Sequence, residues 1–189
     1  MADGYVGPAG YTVSDYFDLV KRGTLNEDDR VELLDGVIVA GPPMDPPHAS
    51  GITLAMRAVD RAVGDRALLR VQMPFIASPF SAPEPDVAVV PGADDNYFDQ
   101  HPSAALLVVE VSASSLQQDR LSKSRIYAGA GVPDYWIVNL RDACVEVFRT
   151  PDVAQRVYAE RRTVHRGAHL ELVALPGAMV DVADLLKSV

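Results

Sequence analysis

Ala105-Leu106-Leu107-Val108-Val109-Glu110-Val111 is an apolar run of strand length that carries one carboxylate near its end. In a strand, Leu106, Val108 and Glu110 point one way, and Leu107, Val109 and Val111 point the other. Apolar residues on both faces mark a central strand covered on both sides. Glu110 therefore points into covered space, where an unpaired carboxylate costs on the order of several kcal/mol. It requires a partner, either a divalent cation or a buried Arg or Lys.

Working outward, Asp86-Val87-Ala88-Val89-Val90 is a second apolar strand, opened by an acid just after Pro83-Glu84-Pro85. Asp86 alone is a residue that turns favour. Paired with Glu110 on a neighbouring strand, it supplies the second carboxylate that a hard, oxygen-binding cation needs. After the Glu110 strand, the periodicity predicts a helix over 116–130, ended by Gly131 and Pro133. On its helical wheel Leu116, Lys123, Ile126, Tyr127 and Ala130 share one arc, which puts Lys123 on the buried face. That lysine either snorkels, pairs with Asp119 four residues earlier, or reaches the same site as Glu110.

Upstream, Thr12-Val13-Ser14-Asp15 starts a short helix, and Arg30 to Ala40 reads as two strands turning at Asp35-Gly36. Glu32 lies in the first of these strands and reads as solvent-facing. Following the Pro-rich stretch 41–47, a helix over 48–63 carries His48 on the stripe of Ile52, Ala55 and Val59. Downstream, strands are expected over 68–73, 135–139, 144–148, 156–160 and 169–173, with a short final helix over 182–186. One mixed α/β domain spanning residues 1–189 accommodates this order, with no linker dividing it.

The 189 residues are 48% hydrophobic and 23% charged, an ordinary globular balance. Cys144 is the only cysteine, so no intrachain disulfide and no thiol-built zinc site can form. No apolar stretch approaches the roughly 20 residues of a membrane span, and no secretory pattern opens the chain, so the expectation is a cytoplasmic protein with no membrane partner. The net charge of −9 weighs against a broad nucleic-acid surface. Basic residues nonetheless bunch at Arg120, Lys123 and Arg125, and again at Arg156, Arg161, Arg162, His165 and Arg166.

Taken together, Glu32-Leu33-Leu34-Asp35-Gly36, His48, Pro85-Asp86-Val87, Val108-Val109-Glu110-Val111-Ser112, Asp119 with Lys123 and Tyr127, and 131–138 resemble the Uma2 family of restriction-endonuclease-like proteins, a branch of the PD-(D/E)xK nuclease superfamily. The resemblance covers about residues 12–186. It implies a restriction-endonuclease-like mixed central β-sheet flanked by α-helices, with Asp86 and Glu110 as the metal-binding acids. The superfamily's lysine stands two residues after the second acid, where this chain has Ser112. The resemblance nominates Lys123, on the following helix, in its place. It also implies supporting roles for Glu32, His48, Asp119 and Tyr127, Mg²⁺ or Mn²⁺ as cofactor, and nucleic acid, DNA first, as partner. A homodimer is compatible with so small a domain. The expected activity is metal-dependent hydrolysis of phosphodiester bonds, and the alternative is an inactive nuclease fold serving as a binding or structural module. No Gly-x-Ser-x-Gly, Walker loop, His-Glu-x-x-His or dinucleotide fingerprint supports another enzyme class.

Overall fold

The computed structural model describes residues 10–26, 29–41 and 44–187. Its first helix, α1 (Val13–Lys21), is closed at its N-terminus by the reciprocal Thr12–Asp15 capping box. The hairpin β1 (Val31–Leu34) and β2 (Val37–Ala40) follows. Asp35 and Gly36 both take positive φ at its turn, the mirror-image geometry that two-residue hairpins favour. Helix α2 spans Pro46–Val63 and begins two residues earlier than the sequence suggests. Asp45 caps it by accepting from the His48 N–H, and proline is tolerated in a first turn whose N–H groups lack helical partners anyway.

The main sheet has six strands in the order β3-β4-β5-β6-β7-β8. These are β3 (Leu68–Arg70), β4 (Val87–Val90), β5 (Leu107–Ser112), β6 (Asp134–Asn139), β7 (Cys144–Asp152) and β8 (Val157–Val164). Only β5 and β6 pair in parallel within it, and the helical segment between them makes the crossover that such a pair needs. That segment is α3 (Leu116–Gln118), a π-helical turn (Asp119–Lys123) and α4 (Ser124–Gly129), rather than the uninterrupted α-helix expected. β3 stops at Arg70, short of the expected Met73, because Gln72 takes a φ of 50° and donates its N–H to the Pro85 carbonyl.

Alternation on β5 builds the two layers. Leu107, Val109 and Val111 pack with Ile52, Ala55 and Val59 of α2, and Val108 packs with Tyr127, Tyr135 and Ile137 on the opposite face. Glu110 belongs to that second face and sits on the side of α4. At the end of the chain, β9 (His169–Glu171) pairs with β10 (Met179–Asp181), a strand the sequence pattern did not suggest. The final helix expected over 182–186 is a 3₁₀ turn, Val182–Leu185, capped by Asp181.

Candidate active site

Glu110 is buried, and both hydrogen bonds it receives among the described residues reach Oε1. Lys123 Nζ donates at 3.0 Å and the Tyr127 hydroxyl at 2.6 Å. Lys123 also stands 3.1 Å from Glu32 Oε1. Its partners are therefore Glu110 and Glu32, and the simple pairing with Asp119 along the helix is not made. The π turn is what sets this up: it carries both Asp119 and Lys123, each buried, on the inner side of the helix. Such one-turn widenings occur often at functional sites.

Asp86 meets the same cleft from the start of β4. Its Oδ2 accepts from the Val111 N–H at 2.8 Å, which ties it to the residue after Glu110. Its Oδ1 has only long contacts, His48 Nε2 at 3.4 Å and Gln72 Nε2 at 3.5 Å, so this oxygen is loosely held. Asp119 accepts from the Ser115 hydroxyl at 2.8 Å. Glu32 is not solvent-facing, as its strand pattern suggests. Its side chain is 12% exposed, and Oε2 accepts from the Glu84 N–H. All the residues singled out from sequence meet here, with Tyr127 beneath the others. They line or underlie an open cleft of about 250 Å³.

Glu84, Gln72, Ser115 and Gln118 also line the cleft and were not foreseen. For Glu84 a signal was present. It lies two residues before Asp86 in an extended, proline-bracketed stretch, a spacing that turns both side chains the same way. Nothing in the sequence marked Gln72, whose approach depends on its positive φ.

The electrostatics follow from crowding acids around one ammonium. Burial, with Asp86, Asp119 and Glu32 nearby, pushes the Glu110 carboxyl well above its ordinary range, although Lys123 opposes this. Burial works against the Lys123 charge, yet Glu110, Glu32, Asp119 and Asp86 together hold its pKa above that of a free lysine. Glu84 is pushed up to about 6, first by burial and then by the charge on Glu32. Asp119 is raised, chiefly by burial, and His48 is raised by its hydrogen bond to Asp86.

Among the described residues no three His, Cys, Asp or Glu side chains gather closely enough to enclose a metal ion. Glu110 Oε2 accepts no hydrogen bond among the described residues and Asp86 Oδ1 only long ones, while Glu84 and Asp119 bring further carboxylates to the cleft. This hard, all-oxygen set fits Mg²⁺ or Mn²⁺. Mg²⁺ keeps several of its waters and needs only one or two protein carboxylates, so a closed cage of ligands is not required.

The Uma2 profile, described as "Putative restriction endonuclease", matches residues 13–183. The chain belongs to the Uma2 family. No curated relative matches this Uma2 chain. Among solved structures, it is similar to a protein from Anabaena variabilis described as a "putative nuclease belonging to DUF820". That similarity has a TM-score of 0.68 at 16% identity and covers 93% of the Uma2 chain and 97% of the other. At that identity the likeness speaks for the fold, a mixed sheet between helices. No helix of the described Uma2 residues is long and apolar enough to cross a membrane.

Proposed function

We propose that this Uma2 protein is a metal-dependent endonuclease that hydrolyses phosphodiester bonds of nucleic acid, DNA first. The observation that carries the reading is the meeting of Asp86, Glu110 and Lys123 in one cleft, from two strands and a helix. Asp86 and Glu110, with the Val111 carbonyl, would hold Mg²⁺ or Mn²⁺. A divalent ion there supplies Lewis-acid stabilisation of the phosphate and acidifies water at neutral pH. Lys123, held charged by the acids around it, faces the phosphate and offsets the negative charge that grows as the bond breaks. Tyr127 and Glu32 fix Glu110 and Lys123 in place. His48 orients Asp86 and, when protonated, donates toward a phosphate oxygen.

The test is turnover on single- and double-stranded DNA and on RNA with Mn²⁺, with and without chelator. Wild type should cleave only with the metal. Lys123→Ala should lose about 10²-fold or more, the scale for a positioned catalytic group, while still binding metal. Undiminished cleavage by Lys123→Ala removes the lysine from the mechanism. No cleavage of any substrate by wild type makes the protein an inactive nuclease fold.

A further inference from the structure

The helix that carries Lys123 has a cavity on each side. Toward the cleft face Ser115, Gln118 and Asp119; their sequence neighbours Ser114, Gln117 and Arg120 line a separate groove of about 590 Å³. The first turns of this helix are thus the wall between the two. Arg141, from the β6–β7 turn, and Arg161, from β8, complete the groove, and among the described residues no acidic side chain lines it. In a chain of net charge −9 this concentration of arginine is out of character.

Their settings differ in a useful way. Arg120 and Arg161 are both anchored on the buried carboxylate of Glu146, and Arg161 also lies 5.0 Å over the Phe148 ring. Their side chains remain 34% and 53% exposed, so each is held in place while its remaining N–H groups stay open to solvent. Arg141 is exposed and forms no hydrogen bond or ion pair among the described residues. Three guanidinium groups thus stand against the buried carboxylate of Glu146 and the exposed one of Asp142, which also acts on Arg120. Pre-positioned arginines of this kind suit the planar, bidentate recognition of phosphate.

We propose that this groove binds the phosphate backbone of the DNA strand being cut, on the far side of the Lys123 helix from the scissile bond. The proposal rests on the nuclease reading of the cleft. A helix with its side chains is about 10–12 Å across. A DNA strand carries one charge per about 3.4 Å along the duplex axis. The groove therefore receives a phosphate about three nucleotides from the one that is cleaved. It supplies positive charge next to the cleft on a chain that is acidic overall, and it fixes the strand's direction across the site.

The experiment is a salt titration of binding to a labelled DNA duplex and to a labelled RNA in chelator, where no cleavage occurs, with melting temperatures to confirm folding. Arg141→Gln is the main variant because nothing in the fold depends on it. It should weaken binding and lower the slope of log affinity against log salt by about 0.9, one phosphate contact. Arg141→Lys should restore most of the slope, and Arg161→Gln should lower it as Arg141→Gln does. Wild type that binds and cleaves DNA while both glutamine variants keep its affinity and slope overturns the groove and leaves the nuclease intact. Wild type that neither binds nor cleaves DNA overturns both. Weakened binding to RNA alone overturns the assignment to a DNA strand.

Discussion

Lys123 has Glu110 on one side and Glu32 on the other, and that arrangement has a thermodynamic consequence separate from catalysis. Removing one partner of a buried ion pair costs about 3–5 kcal/mol, because the remaining charge stays desolvated. Lys123→Ala should therefore lower the metal-free melting temperature, and Mn²⁺ should recover part of the loss, since a cation substitutes for the missing ammonium. A variant as stable as wild type would mean that the pair contributes nothing to the fold. At this scale the sequence was informative where a residue contradicted its surroundings. Glu110 in an apolar strand and Lys123 on a buried helical arc both announced themselves. Glu32 did not, because β1 is only four residues long and half-buried, so its alternation says little about which side is covered. Glu84 did not either, because it stands between two prolines, outside any strand or helix period.

At the scale of elements, α2 and β5 approach so closely that the helix needs a residue without a side chain. A Cβ on Gly51 would lie 2.6 Å from Val111 Cγ1 and 3.3 Å from Leu140 Cδ2. Alanine is favoured over glycine within a helix by up to about 1 kcal/mol. Overpacking a close-fitting core costs about 1–3 kcal/mol, and Val111 is fully enclosed, so the clash outweighs the gain. Gly51→Ala should lower the melting temperature in a thermal scan, and an unchanged or raised value would show that the two elements can part at little cost. The strands β4 and β5 and the helical segment after them were legible because buried strands and an amphipathic helix have distinct periods, whereas the order of strands in the sheet came only with the fold. The π turn was not, since widening by one residue leaves the apolar spacing on either side nearly unchanged. The β10 strand was missed for another reason: Met179-Val180-Asp181 is too short for alternation to register.

For the molecule as a whole, the sheet's arginine–carboxylate network contributes to its response to acid. Burial alone would raise the Glu146 carboxyl, but hydrogen bonds from Arg120, Asn139 and Arg161 outweigh it and hold the pKa below the ordinary glutamate value. A depressed carboxylate contributes stability that is present above its unfolded pKa, about 4.3, and is lost as pH falls through the folded value. Denaturant unfolding from pH 6 downward should therefore show Glu146→Gln less stable than wild type near neutrality and the two converging in acid. A constant gap across that range would remove Glu146 from the pH response. The overall charge, legible at once, proved a poor guide to local chemistry, because Arg120, Arg141 and Arg161 come from three elements that only the fold brings together. The central claim, that Asp86 and Glu110 receive a divalent cation beside Lys123, is tested most directly by anomalous diffraction from crystals containing Mn²⁺. The account predicts a manganese peak about 2.0–2.6 Å from an oxygen of each carboxylate. A peak elsewhere on the molecule, or none with Lys123 still seated on Glu110, would contradict it.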